Sequence, residues 1–103
     1  MALAARAGVL LCLIGMAGSA MAMTSLTTLQ QKASQCFANP NPAGCNGFWD
    51  LSAQLKQQAD KGEQLRCYSS LLALEAMVSM ATLGSQDSAR QSEALQTTSR
   101  ECP

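Results

Sequence analysis

Between residues 23 and 103 the chain holds one valine, Val78, and no isoleucine, while Ala, Leu and Gln are abundant. Branched and aromatic side chains suit the crowded surface of a pleated sheet, and straight side chains keep most of their rotamer freedom on a helix. A sheet has almost nothing to be made from here. The composition predicts an all-α protein.

Four helical segments can be placed. The first opens at Thr24 or Ser25, either of which is a good N-cap, and repeats Leu26, Leu29, Ala33 and Cys36/Phe37 along one face. It stops at Asn39-Pro40, because a residue before proline is pushed out of the helical region. The stretch "NPNPAGCNG" cannot be regular structure: its prolines restrict the backbone, and Gly44 and Gly47 allow tight turns. A second helix starts near Asn46–Phe48, places Phe48, Leu51, Leu55 and Ala59 on one face, and closes at Lys61-Gly62. The third runs from about Glu63 to Leu83, with Gly84 as its stop. The fourth takes Ser85 as its cap and continues toward Arg100, with Leu95 as its only large apolar residue. Such a helix has the propensity to form but too little apolar surface to hold it in place.

The third segment is the most apolar. Gln64, Glu75, Ser79 and Thr82 fall on one narrow stripe, and most of the remaining circumference is Leu, Met, Val or Ala. The pattern predicts a central helix surrounded on several sides, with Glu75 solvated on the polar stripe and Met77 and Met80 in the core.

The stretch "CFANPNPAGC" raises the question of what its cysteines do. Beyond residue 22 the chain has four: Cys36, Cys45, Cys67 and Cys102. Zinc sites usually bring their cysteines in close C-x-x-C pairs, which are missing here, and the chain has no histidine. Without C-x-x-C there is also no dithiol redox motif. An even count in a short exported chain reads as disulfides. Pattern alone leaves three pairings open, but helix length separates them. If consecutive helices alternate in direction, Cys36 and Cys45 share one end of the bundle. From Cys67 to Gly84 and from Ser85 to Cys102 is 17 residues each way, so the chain returns to the level of Cys67. Cys36–Cys45 and Cys67–Cys102 are the predicted pairs. The expected fold is a small up-down bundle of three to four helices stapled by two disulfides.

The first residues set the compartment. Arg6 precedes an apolar, uncharged run over residues 7–20 that ends in Ala20-Met21-Ala22, the small-x-small pattern of a signal peptidase site. The run is shorter than the ~20 residues a membrane span needs. Cys12 follows Leu10-Leu11 rather than a small residue, which argues against a lipid attachment point, and it would leave with the leader. Residues 1–22 are therefore expected to be a cleavable signal peptide, and residues 23–103 a single disulfide-stapled helical domain, exported to a periplasm or the extracellular medium, with no stable membrane anchor after cleavage.

Beyond the leader, six basic residues stand against seven acidic ones with the signs interspersed. No basic stripe exists to neutralise phosphates, so nucleic acid is not an expected partner. The lack of histidine removes imidazole-based catalysis, and no phosphate-cradling glycine loop or calcium loop is present. No catalytic residue, metal ligand or cofactor is assigned, and the chain is not expected to be an enzyme. Phe37, Phe48 and Trp49 gather around the proline loop, with Tyr68 far from them in sequence. Aromatics on a rigid loop carry binding energy efficiently. The sequence points to a non-catalytic binding or accessory protein acting on another protein through a helical surface or the aromatic loop 37–49. The alternative is a carrier holding an apolar small molecule or lipid in a bundle cavity.

Overall fold

A computed structural model of the chain describes residues 25–103. The leader, Cys12 and the cleavage point after Ala22 lie outside the described residues. Among those residues the structure is all-helical, with four helices packed together and no strand. Helix α1 spans residues 25–38, α2 Phe48–Lys61, α3 Leu65–Thr82 and α4 Ser88–Glu101.

Polar contacts fix the alternation of direction. Gln30 near the start of α1 donates to the Leu95 carbonyl and to Ser99 Oγ near the end of α4. At the other end, Gln86 just before α4 donates to the Phe37 carbonyl. Helix α2 meets α3 through Ser52, Lys56 and Glu75. Helices α1 and α4 are thus antiparallel, and the short connections require the same of consecutive helices. The disulfides are Cys36–Cys45 at the upper end and Cys67–Cys102 at the lower.

The core draws on every helix. Leu29, Ala33 and Cys36 of α1, Phe48 of α2, and Leu71, Leu74 and Val78 of α3 are fully buried, with Ala94 of α4 against them. Each large side chain among these contributes roughly 1.5–3 kcal/mol by leaving water. Leu51, Leu55, Met77 and Leu95 close the margins.

Three expectations are corrected. Ser85 does not cap α4. Its amide donates to the Met80 carbonyl while that of Gly84 donates to Ala81, and Gly84 takes φ +91°, so both residues finish α3. This paired closure consumes the Ser85 amide. Asp87 caps α4 instead, its carboxylate accepting from the Arg90 amide over 3.1 Å. Helix α2 ends at Lys61 with Gly62 as its cap, as expected. Gly62 keeps a negative φ, and the left-handed position falls on Glu63 at φ +55°, with the Gln64 amide reaching the Ala59 carbonyl.

The second correction concerns α3, which is not surrounded. Leu65, Leu72 and Leu83 face solvent, opposite the buried Leu71, Leu74 and Val78. The third concerns Glu75, whose carboxylate is not solvated but turned onto α2, 12% exposed and paired with Lys56.

Helix α4 has little apolar surface, as expected, and polar bonds seat it. Thr98 is fully buried, its hydroxyl donating to the Ala94 carbonyl at 2.8 Å and pointing to that of Ser70 at 3.4 Å. Gln91, also buried, donates to Gln86.

Candidate functional site

The loop over residues 39–47 is hydrogen-bonded from within. Asn41 Oδ1 accepts from the Gly44 amide and Asn41 Nδ2 donates to Asn39 Oδ1, both at 2.8 Å. The Cys45 amide donates to the Asn41 carbonyl, and that of Phe48 to the Cys45 carbonyl. A side chain at Gly44 would run into the Asn39 backbone carbonyl, so the loop folds this tightly only because residue 44 has none. The Cys36–Cys45 bond then fastens it to the end of α1.

Gly47, at φ +78°, turns the chain into α2, and the Lys32 side chain of α1 lies over it. Phe48 and Trp49 follow at once. Successive residues of a helix point about 100° apart, so burying one presents the other sideways. Phe48 is the buried member. Its ring meets that of Trp49 edge to face, centroids 5.2 Å apart, while Trp49 stays 43% exposed. Phe37 is half-buried against the core.

The structure therefore separates the three aromatics named from the sequence. Phe48 belongs to the core and backs the indole, Phe37 is a margin residue, and Trp49 alone presents a large surface to solvent. Beside it lies an open groove of about 320 Å³, lined by Pro40, Asn41, Pro42, Cys45, Trp49 and Thr82. None of these side chains carries a charge. The Cys45 sulfur is held in its disulfide, and the Thr82 hydroxyl is given to the Ser79 carbonyl. The groove thus offers no free nucleophile and no proton-transfer group. It presents an aromatic plate, two proline rings and one side-chain amide on a cross-linked frame.

A second polar constellation was not named as a site. Ser52 is fully buried on α2 and donates to Glu75 Oε2 at 2.9 Å, while Lys56 donates to Oε1 at 2.9 Å. The signal for it was the serine within the apolar repeat Phe48, Leu51, Leu55, Ala59. Both carboxylate oxygens have partners within the fold, so the arrangement joins α2 to α3. Among the described residues, no three His, Cys, Asp or Glu side chains gather where they could hold a metal ion, and no helix is long and apolar enough to cross a membrane.

No protein-family model, curated protein or solved structure gives a significant match to this chain.

Proposed function

We propose that this chain is an exported, non-catalytic binding protein that engages another protein through Trp49 and the groove of the disulfide-closed loop. The observation that carries the reading is the placement of Trp49. A large aromatic side chain in the first turn of α2 is held half in water at the rim of an uncharged groove, beside a loop already fixed by a disulfide and by the Asn41 bonds. Ordering such a loop costs a partner little, and buried Trp is among the residues on which binding energy concentrates. Export is supported by the leader-like residues 1–22 and by two disulfides, which persist in oxidising compartments.

Trp49 is the chain's only tryptophan, so its emission reports on this site directly. Oxidised protein comprising residues 23–103 is used to capture partners from the envelope or medium of its source, beside a Trp49→Ala variant of equal helicity. A partner captured by the wild type, lost from the variant and shifting the Trp49 emission to the blue supports the reading. A partner held equally by both chains, with Trp49 emission unmoved, refutes it.

The reading as a carrier of an apolar ligand has one opening in its favour, a crevice of about 220 Å³ at the lower end between Leu26, Leu55, Ala59 and Cys67. That is below the ~300–1,000 Å³ usual for small-molecule pockets. The Trp49 groove is the better-supported site.

A further inference from the structure

The outward face of α3 carries a seam for which the fold supplies no cover. Leu65 is 74% exposed, Leu72 45% and Leu83 85%, and with Trp49 they are the exposed large hydrophobic residues among those described. Scattered exposed leucines mean little, but contiguous apolar strips mark contacts. These three are aligned. At 100° per residue, Leu65, Ser69, Leu72, Ala76, Ser79 and Leu83 lie within about 40° of one line, roughly opposite the side that enters the core. Their spacing is 4-3-4-3-4, the alternation that keeps a helix seam against a second helix over its whole length.

The seam is also symmetric about Leu74. Reading outward from that residue, Leu72 matches Ala76, Ser69 matches Ser79 and Leu65 matches Leu83. A surface that is its own complement under reversal is what a two-fold contact between identical chains requires. We propose that α3 is the dyad seam of a homodimer, packed antiparallel against α3 of a second copy. Leu72 then sits opposite the small Ala76 of the other chain, serine faces serine, and Leu65 meets Leu83 at both ends.

Charge and shape agree with this pairing. In α3 and the turn after it, between Arg66 and Asp87, the sequence has a single charge, Glu75, and that carboxylate is turned away onto Lys56 of α2. At the lower end, Arg66 and Glu101 border an open groove of about 460 Å³ between α3 and α4, with Leu65, Ser69, Ala73 and Thr97 along it. This groove lies where Leu83 of the second copy would enter. At the upper end stand Asp87 and Arg90. Arg90 lies on the same face of α4 as Thr97 and Glu101, seven and eleven residues away. Reversal about Leu74 brings the lower end of one copy to the upper end of the other. Arg66 then faces Asp87, and Glu101 faces Arg90. A parallel two-fold arrangement would carry the two α4 helices to opposite sides of the seam and form neither pair.

The seam runs about 27 Å at 1.5 Å per residue, one helix length, so the contact is at the small end of stable interfaces, near ~1,200 Å² in total. A dimer in the micromolar range is expected. The proposal does not depend on the Trp49 site, because Thr82, on that groove's wall, lies about 100° around α3 from the seam, on its α2 side. Either can fail alone.

Sedimentation equilibrium of the oxidised 23–103 protein across the micromolar range should show monomers passing to dimers. Leu72→Asp should abolish the dimer with the circular dichroism unchanged, and Leu83→Asp, at a site far more exposed, repeats the test should the first variant lose structure. Orientation is read from a mixture. Leu72→Asp and Ala76→Lys chains, each monomeric alone, should associate with each other, because position 72 faces position 76 only when the helices are antiparallel. A wild type that stays monomeric throughout overturns the proposal. So does a dimer that both leucine variants leave intact, or a mixture of the two charged chains that remains monomeric.

Discussion

Ser52 of α2, without any exposed surface, gives its hydroxyl to the Glu75 carboxylate of α3 across 2.9 Å, and Lys56 one turn further along α2 takes the other oxygen. The three side chains form the one polar clasp between these helices among the described residues whose bonds run side chain to side chain. It explains why a glutamate tolerates the middle of "LLALEAMVSM".

Removing the acceptor should cost more than removing the donor. Glu75→Ala leaves the Ser52 hydroxyl buried without a partner and Lys56 half-buried and alone, a loss of about 2 kcal/mol. Ser52→Ala leaves the carboxylate its lysine and should cost about 1 kcal/mol. Glu75→Gln keeps an acceptor for Ser52 and should fall at or below the serine variant. Urea midpoints at constant slope measure all three. A Glu75→Ala chain as stable as the wild type would show that the clasp contributes nothing.

The two disulfides should differ in what their loss releases. Cys67–Cys102 closes a separation of 35 residues and Cys36–Cys45 one of 9. On the loop-entropy model these correspond to roughly 4 and about 3 kcal/mol. Helix α4 rests on Thr98, Gln91, Ala94 and the α1 glutamine rather than on large apolar side chains. Replacing Cys67 and Cys102 by serine should therefore free α4 first, seen as lost helicity and new protease cleavage between residues 88 and 101. Unchanged helicity and protease resistance in this variant would rule the idea out.

Glu63 offers a gain. It holds φ +55°, a conformation that disfavours any residue with a Cβ, directly after Gly62, which does not use its own freedom. Glu63→Gly should stabilise the domain by about 0.5–1 kcal/mol. Gly62→Ala should add a similar increment, since the new methyl group would meet the Gln58 carbonyl at an ordinary 3.4 Å. Thermal unfolding of the single and double variants measures both, and a lower midpoint for Glu63→Gly would contradict the assignment.

The start of α4 distinguishes two neighbouring caps. Asp87→Ala removes the acceptor of the Arg90 amide and should cost about 1 kcal/mol, while Ser85→Ala should change stability by less than ~0.5 kcal/mol. The reverse order, read from denaturant midpoints, would place the cap at Ser85.

Much of this fold was legible because helices leave period and length in a sequence. Leu29, Ala33 and Cys36 fall inward as their spacing required, and equal lengths on either side of Gly84 were enough to choose the disulfide partners. The boundaries were less legible where two good signals compete. Ser85 and Asp87 are both strong caps, and only the closure of α3, which takes the Ser85 amide, decides between them. At the end of α2 the glycine stands where its signal placed it, and only the left-handed φ falls one residue on, at Glu63.

For α3, periodicity reveals which residues share a face but not which face meets a neighbour. Leu65, Leu72 and Leu83 are as apolar as Leu71, Leu74 and Val78, so hydropathy gives the helix no preferred orientation. The positions of α2 and α4 supply it. At the candidate site, adjacency on a helix requires Phe48 and Trp49 to point apart, and packing selects phenylalanine for the interior.

The placement of the two cross-links has a mechanical consequence. If the domain is stretched between residues 25 and 103, each bridge short-circuits the chain it spans, and only residues 25–36, 45–67 and the last step can lengthen. At about 3.4 Å per residue that allows an extension of roughly 120 Å, against about 270 Å for the unbridged chain. Helix α4 and all but the first turn of α3 lie outside the path of the force. Tension that unravels α1 and α2 would leave this hairpin without load.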